Sequence, residues 1–249
     1  MTKNSGFSNE NELIEAINGK IVSDINHSII KNLISRIYSS PLKSSDLILC
    51  KKPDQIDEIA PKPDIEIIIN NKSHYISIKK GSGNSVHQEP LEQFVEYLSS
   101  NIGISNEKAN HIRFFIWGDK TFNNSGRVYD RMGVVEIKKK YPDIINSIQS
   151  IFNEHKRELI ERFIKQGSGI NNPPADYMFY GTEDYGIIRK TDNVIKYLCS
   201  VKLKPPSVGA LTFQAWNRNI NGGYRSERKR GHIQLKWGRI GKELGLVDE

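Results

Sequence analysis

The sequence holds few of the features that mark secreted, membrane or zinc-binding proteins. Its 249 residues include two cysteines, Cys50 and Cys199, which are too few and too distant for a disulfide framework or a zinc cluster. No stretch approaches the roughly 18 apolar residues of a membrane-spanning helix, and the N-terminal MTKNSGFSNENEL has no apolar signal-peptide core. We therefore expect a soluble, cytoplasmic protein in which Cys199, near a predicted helix end, is a buried free thiol.

Three further absences narrow the function. The glycine-rich segment KGSGN, residues 80–84, lacks the Gly-Lys-Ser/Thr ending of a nucleotide-binding P-loop, and no helix follows it directly. The histidines show no metal-site spacing, and the chain has neither an internal repeat nor a low-complexity tract. We expect residues 80–84 to form a loop whose glycines let a phosphate backbone approach closely, with a simple flexible turn as the alternative.

Positive charge is concentrated in the last fifth of the chain. The net charge is +7 at pH 7, and residues 201–249 carry ten Lys/Arg against four Asp/Glu, a net of +6. A local basic excess is typical of proteins that bind a phosphate backbone, although a solvated basic surface that maintains solubility has the same composition. Charge alone makes nucleic acid a candidate partner and does not decide between the two.

Hydrophobic periodicity predicts a mixed α/β chain. Helices are predicted at residues 9–19 and 26–38, and a proline-punctuated connection at 39–63 follows them. Further predicted helices are residues 86–99, 143–166, 193–201 and 238–245. The predicted strands are residues 64–70, 74–80, 111–118, 175–181, 185–190, 209–216 and 232–237. This order predicts an α/β core joined to a mainly β C-terminal part.

The two strands between residues 64 and 80 carry the strongest candidate site. Asp64 opens the first strand, and the turn NNKS leads into the second. Side chains alternate along a strand, so Ser77 and Lys79 lie on one face. Phosphodiester hydrolysis uses a hard cation held by carboxylates, together with positive groups that neutralise charge on the phosphate oxygens. Asp64 and Lys79 supply one carboxylate and one lysine for such a site.

These residues resemble a known nuclease motif. Pro-Asp at 63–64 and Ser-Ile-Lys at 77–79, on paired strands, are similar to the PD-(D/E)xK signature of restriction endonucleases and many repair nucleases. The resemblance covers about residues 60–97 and implies a mixed β-sheet flanked by helices, with Asp64 as a metal ligand and Lys79 as the catalytic lysine. From the order of the predicted elements, we expect a nuclease core at residues 1–170 and a basic, β-rich DNA-recognition region at 171–249, within one compact unit.

The departure from the motif is Ser77, which stands where the family has its second acid. Some restriction enzymes with Ser-x-Lys carry that acid on the following helix, here predicted at residues 86–99. Glu89, at the predicted helix start, is expected to project toward the metal and ranks ahead of Glu92, which lies on the solvent face. Gln88 resembles the glutamine that some RecB-like nucleases carry on the corresponding helix. The open alternatives are no acid at all, Glu66, Glu15 or Glu12.

The basic C-terminal region contains a loop suited to a DNA groove. Residues 217–230 lie between two predicted strands and combine glycine with Arg, Asn and Lys. Arg pairs with guanine edges and Asn with adenine edges in the major groove, while Lys and Arg also hold phosphates. The competing interpretation is an exposed hairpin with generic charge. The candidate DNA contacts are Arg218, Asn219, Arg225, Arg228, Lys229, Arg230 and Lys236.

The leading hypothesis from the sequence is a Mg²⁺-dependent endodeoxyribonuclease that resembles type II restriction enzymes and acts on double-stranded DNA. Cleavage of both strands at a symmetric site needs two active sites, so a homodimer is expected. Two alternatives stay open. One is a structure-selective repair or recombination nuclease, and the other is an inactive nuclease fold that only binds DNA, which Ser77 favours.

Overall fold

Two β-sheets organise the chain, each inside its own compact unit. The structure is a computed structural model that describes residues 5–38, 41–56, 58–81, 85–169 and 171–248, with side chains from residue 8 onward. The first unit takes residues 1–84, 161–197 and 239–249, and the second takes residues 85–160 and 198–238. Each unit contains residues from both sides of the predicted boundary at residue 170. The assignment of residues 1–170 to catalysis and of residues 171–249 to DNA recognition stays a prediction.

The elements in chain order are as follows. The strands are β1 (Lys20–Ile21), β2 (Leu47–Lys51), β3 (Ile65–Ile69), β4 (Lys72–Lys79), β5 (Ser85–Pro90), β6 (Tyr177–Gly181), β7 (Gly186–Lys190), β8 (Ser207–Val208), β9 (Leu211–Ala215) and β10 (His232–Lys236). The helices are α1 (Ser5–Ile17), α2 (Ser28–Ile37), α3 (Leu91–Tyr97), α4 (Asn106–Trp117), α5 (Val134–Lys140), α6 (Pro142–Glu154), α7 (Lys156–Glu161), α8 (Thr191–Ser200), α9 (Tyr224–Glu227) and α10 (Ile240–Glu243). Short π-helical segments, Leu98–Ile102 and Arg162–Gln166, extend α3 and α7.

The first unit is built on a mixed sheet of six strands in the order β1-β2-β3-β4-β6-β7. β3 and β4 form an antiparallel hairpin, and β4 pairs with β6 in parallel. One face of this sheet is apolar and packs with α1 and α2. Its core includes Leu13, Ile17, Leu33, Ile37, Ile65, Ile67, Ile69, Ile76 and Ile78. Because Ile65 pairs with Ile76, the alternation places Ser77 and Lys79 on the opposite face, together with Asp64 and Glu66.

The second unit holds an antiparallel sheet of four strands in the order β5-β10-β9-β8. Phe213 of β9 lies at the centre of its aromatic core. Its ring centroid is 4.8 Å from Phe152 of α6, 5.8 Å from Phe115 of α4 and 5.9 Å from Phe94 of α3. These helices therefore bury one face of the sheet through aromatic contacts.

The prediction of one helix over residues 86–99 is wrong in its first half. Residues 85–90 form strand β5, in which Gln88 pairs with Gln234 and Glu89 with Ile233 of β10. α3 begins only at Leu91, after Pro90. The pairing partner lies about 145 residues further along the chain, so a strand here is favoured by a contact that no local pattern displays.

The predicted strand at residues 111–118 is also wrong, because this segment lies inside helix α4. The side chain of Ser105 accepts a hydrogen bond from the Lys108 amide and caps the helix start, and Gly118 ends the helix in the left-handed conformation with φ +64°. The buried side of the helix carries Ala109, Ile112, Phe115 and Ile116. A spacing of three and four residues is typical of a helix. The segment was predicted as a strand because it is rich in aromatic and β-branched residues, which are common in strands.

The other predicted elements are confirmed with changes in their limits. The two predicted helices at the N-terminus correspond to α1 and α2, and both predicted hairpins form as β3–β4 and β6–β7. The long helix at 143–166 is divided into α6, α7 and a π-helical end, and the connection at 39–63 contains strand β2. Across the ranges that the structure describes, no helix is long and apolar enough to cross a membrane.

Candidate functional site

Asp64 and Lys79 meet at one end of the β3–β4 hairpin. Asp64 directly precedes β3, and its amide donates to the Ile76 carbonyl at 2.8 Å, which fixes the residue against β4. The Lys79 ammonium donates to Asp64 Oδ2 at 3.1 Å and to the Ile78 carbonyl at 2.7 Å. The Asp64 side chain is 23% exposed and the Lys79 side chain is 20% exposed. The pair is thus held by backbone pairing and stays open to solvent.

The remaining donors at Asp64 come from the strand that carries the motif. Ser77, which is fully buried, donates from its hydroxyl to Asp64 Oδ2 at 3.1 Å, and the Ile78 amide donates to the same oxygen. Within the described part of the chain, Asp64 Oδ1 has no hydrogen-bond partner. Ser77 therefore takes the place of the motif's acid as a donor that orients Asp64, and one carboxylate oxygen is left available.

The oxygen atoms around Lys79 suit a hard cation. Asp64 Oδ2 and the Ile78 carbonyl already converge on one ammonium group, and Asp64 Oδ1 has no competing partner in the described chain. Mg²⁺ is commonly held by one or two carboxylates together with water and substrate phosphate. No group of three His, Cys, Asp or Glu side chains with metal-binding geometry occurs among the described residues. The donors present fit a cation bound by one carboxylate and completed by water and phosphate.

Glu66 of β3 lies on the same face of the sheet as Asp64, which directly precedes that strand. It lies two residues further along, about 7 Å away by strand geometry, and its cross-strand partner is Tyr75. Its side chain is 8% exposed and lies 3.6 Å from the Lys51 ammonium. Burial, and next the negative charge of Glu66, raise the pKa of the Tyr75 hydroxyl above its ordinary value. Glu66 is therefore an ordered carboxylate inside the first unit.

The acids predicted on the following helix belong to the second unit. Glu89 lies in β5 and its buried carboxylate is 3.0 Å from His87 Nε2. The expected projection from a helix start is wrong, because Pro90 separates Glu89 from α3. Glu92, on α3, is exposed and receives hydrogen bonds from Arg113 at 2.7–3.1 Å. Gln88 is exposed and donates to Ser85 at 3.0 Å.

Three of the predicted DNA-contacting residues make contacts inside the protein. Arg230 is 6% exposed, donates to the Arg218 carbonyl at 2.7 Å and lies 3.4 Å from the buried Asp119 carboxylate. Arg218 donates to the Phe115 carbonyl. Asn219, also 6% exposed, donates to the Gly223 carbonyl at 3.2 Å.

Burial lowers the pKa of two of these arginines, because it disfavours the charged guanidinium group. Burial, and next the charge of Arg230, lower the pKa of Arg218 to about 10. Burial, and next the charge of Arg131, also lower the pKa of Arg230. Arg218 keeps its charge at neutral pH. These buried guanidinium groups need partners, which are the carbonyls of Phe115 and Arg218 and the carboxylate of Asp119.

The other four predicted DNA contacts reach solvent. Arg225 and Arg228 are exposed, and Lys229 and Lys236 are half-buried. The Lys229 ammonium lies 5.3 Å from the ring centroid of Trp216, which is 36% exposed. These cations are placed where an anionic ligand can contact them.

Sequence reasoning missed two groups beside Asp64 and Lys79. The backbone of Ile78 contributes both an amide donor and a carbonyl acceptor, and a strand pattern says nothing of such roles. Tyr180 pairs with Lys79 across the parallel β4–β6 ladder, and its hydroxyl donates to the Gly81 carbonyl at 3.1 Å. Only knowledge that β4 and β6 are neighbours would have indicated Tyr180.

The architecture resembles that of a solved restriction endonuclease. No protein-family model matches the sequence, and no curated protein matches it significantly. Among solved structures, the restriction endonuclease MspI in complex with its cognate DNA is similar, with a TM-score of 0.52. It is 16% identical to this chain, and the match covers 83% of this chain and 77% of that one. The similarity confirms the expected restriction-endonuclease-like fold, a mixed sheet flanked by helices.

Proposed function

We propose that this chain is a metal-dependent DNA endonuclease of the type II restriction kind. The observation that carries the proposal is the meeting of the Asp64 carboxylate with the Lys79 ammonium at 3.1 Å, on neighbouring strands of a restriction-endonuclease-like sheet. The proposed substrate is double-stranded DNA. The proposed phosphate and base contacts are four cations that reach solvent, namely Arg225, Arg228 and Lys229 of the basic loop and Lys236 of β10.

Mg²⁺ is the proposed cofactor, with Asp64 and the Ile78 carbonyl as its protein ligands. When bound, it supplies Lewis-acid polarisation of the phosphoryl oxygen. Lys79 neutralises the negative charge that develops on the phosphate oxygens as a water oxygen bonds to phosphorus and one P–O ester bond breaks. Ser77 and the Ile78 amide hold the Asp64 carboxylate in a single orientation. This supports a site that is assembled before substrate arrives.

The proposal includes a second acid, and we rank Glu66 ahead of Glu89 and Glu92 for that role. Glu66 lies on the same face of the first unit's sheet as Asp64 and also contacts Lys51, whereas Glu89 and Glu92 belong to the second unit. We expect Glu66→Gln to raise the Mg²⁺ concentration required for half-maximal cleavage roughly tenfold, since ligand and near-ligand changes weaken metal sites by such factors. Glu92→Gln is expected to leave it unchanged.

Isothermal titration with Mg²⁺ provides a readout of this metal site that does not depend on turnover. The Glu89→Gln variant is titrated alongside, because Glu89 stays the alternative ligand. If Glu89→Gln raises the Mg²⁺ concentration needed for half-maximal cleavage and Glu66→Gln does not, the second acid is Glu89. If that concentration is unchanged in Glu66→Gln, Glu89→Gln and Glu92→Gln, Asp64 is the single carboxylate ligand among these candidates.

Digestion of a sequenced plasmid with Mg²⁺ tests the proposed activity and its class. We expect discrete fragments that are reproducible between preparations, and no cleavage when EDTA replaces Mg²⁺. Cleavage of a four-way junction with none of the linear plasmid would favour a structure-selective repair nuclease instead. Because both strands of a symmetric site must be cut, the proposal includes a homodimer in which each copy contributes one Asp64–Lys79 pair.

A second candidate function is a DNA-binding protein that has lost hydrolysis. The observation that favours it is the saturation of Asp64 Oδ2, which accepts from Ser77, Ile78 and Lys79, with a donor in place of the motif's second acid. Such a protein would bind duplex DNA and leave the plasmid intact over a full range of Mg²⁺ and Mn²⁺ concentrations.

A further inference from the structure

Two loops of the second unit are fastened to each other by ionic contacts. They are residues 119–133 and 217–231, which we call the double-loop surface. The Arg131 side chain is 7% exposed and lies 3.1 Å from the Glu227 carboxylate. Burial alone raises the pKa of Glu227, but hydrogen bonds from Asn219 and Arg131 bring it below its ordinary value. With the Arg230–Asp119 pair, these contacts give the surface a fixed base.

Two tyrosine rings extend from this base into solvent. Tyr224 is 94% exposed and Tyr129 is 71% exposed. The backbone beneath Tyr224 is anchored, because the preceding Gly223 carbonyl accepts from the Asn219 side chain at 3.2 Å. The Arg127 guanidinium lies 4.3 Å from the centroid of the Tyr129 ring. Phe122, Val128 and Ile220 on the same loops are each 42–47% exposed.

The charge of the double-loop surface selects an anionic partner. The two loops carry eight Lys/Arg and three Asp/Glu, a net of +5. Each of the three acids is paired with cations inside the surface: Asp119 with Arg230, Asp130 with Lys120 and Arg127, and Glu227 with Arg131. The outward excess therefore belongs to exposed cations such as Arg225 and Arg228. Aromatic rings interleaved with exposed cations are typical of nucleic-acid contact surfaces.

We propose that the double-loop surface binds DNA with the rings of Tyr129 and Tyr224 against the bases and with Arg127, Arg225 and Arg228 on the flanking phosphates. This inference rests on the proposed function only for the identity of the partner. Aromatic side chains contact bases with little dependence on sequence, by stacking or as wedges between base steps. Tyrosine is suited to this role because few of its torsions must be ordered, and a loop base that is already fixed lowers the cost of binding further.

Binding of a fluorescent DNA duplex in EDTA tests the inference without requiring cleavage. Tyr129→Ala and Tyr224→Ala are each expected to weaken binding roughly tenfold, with an unchanged dependence on salt because no charge is removed. The matched control is Tyr185→Ala, which removes a tyrosine that is 51% exposed in the first unit. It is expected to bind like the wild type. Duplexes that contain 5-bromodeoxyuridine are expected to crosslink to Tyr129 or Tyr224 on irradiation.

Substitution of Glu227 tests whether DNA affinity depends on the fixed arrangement of the two loops or only on their net charge. Glu227→Gln removes a negative charge, so electrostatics alone would tighten DNA binding. If the surface acts as a unit, loss of the Arg131 contact is expected to weaken binding instead.

Tyrosine variants that bind within about twofold of the wild type would overturn the inference, as would an equal loss in Tyr185→Ala. A wild type that binds DNA without cutting it would overturn the proposed hydrolysis alone. A wild type that fails to bind duplex DNA at low salt would overturn both.

Discussion

Replacement of Asp64 by asparagine, or of Lys79 by methionine, is expected to abolish Mg²⁺-dependent DNA cleavage while DNA binding persists. Both substitutions keep the approximate shape of the side chain and remove its charge. Loss of one preorganised group that stabilises charge in a transition state costs about 10² to 10³-fold in rate. Removal of the Asp64 carboxylate, which contacts Lys79, is expected to cost at least as much, because it also weakens the proposed metal site. Initial rates of plasmid nicking measure the effect.

Two other residues of the first unit provide matched controls for these variants. Lys72→Met removes an exposed lysine at the opposite end of β4, and Asp54→Asn removes an aspartate that is 81% exposed and pairs with Lys51. Both are expected to cleave at the wild-type rate. Fluorescence anisotropy with a labelled DNA duplex in Ca²⁺ measures whether Asp64→Asn and Lys79→Met bind DNA as the wild type does, which is the expected result. Wild-type cleavage by either site variant would exclude the hairpin as the catalytic centre.

The hairpin and its two charged residues were accessible from sequence because their geometry is local. Alternation along β4 places Ser77 and Lys79 on one face whatever surrounds the strand, and a short turn fixes which residues of β3 they meet. Asp64 and Lys79 could therefore be paired from spacing alone. The resemblance to the motif added an expected fold, which the similarity to the MspI structure confirms.

The position of Glu89 in a strand was not accessible from sequence for the opposite reason. Glu89 was preferred because residues 86–99 read as one amphipathic helix with Glu89 at its start. The preference for strand at β5 comes from pairing with β10, far along the chain, and the side chains of β5 then follow a period of two. His87 and Glu89 thereby share one face and meet each other. Long-range pairing decides the direction of a side chain here, and no window of local sequence contains it.

The sequence also could not show which arginines of the basic loop are buried inside the protein and which are exposed. Arg228 and Arg230 are two residues apart in the same short segment, yet one is exposed and the other is 6% exposed. The difference comes from Asp119, which lies more than a hundred residues earlier and places a buried carboxylate beside Arg230. A basic cluster in sequence therefore predicts a nucleic-acid surface without stating which of its members contact the ligand.

Arg230→Met is expected to lower the free energy of unfolding by about 3–5 kcal/mol, the usual result of removing one member of a buried ion pair. The Arg230 and Asp119 side chains are 3% and 0% exposed, so the substitution leaves a carboxylate without its charged partner in a site closed to water. It also removes the hydrogen bond to the Arg218 carbonyl at 2.7 Å, which joins the two ends of the loop at residues 217–231. Urea denaturation followed by tryptophan fluorescence measures the change. Trp117, 5.5 Å from the Arg230 guanidinium, is a local reporter.

The neighbouring Arg228→Met variant makes this result informative about DNA as well as about stability. Arg228 is exposed, so its loss is expected to change the unfolding free energy by no more than about 0.5 kcal/mol. It is also expected to weaken binding uniformly across DNA sequences, with a salt dependence reduced by about one phosphate contact. If Arg230→Met instead kept wild-type stability and lost affinity as Arg228→Met does, Arg230 would be a DNA contact. A loss of stability confined to Arg230→Met identifies it as the residue that holds the two loops in place for the cations beside it.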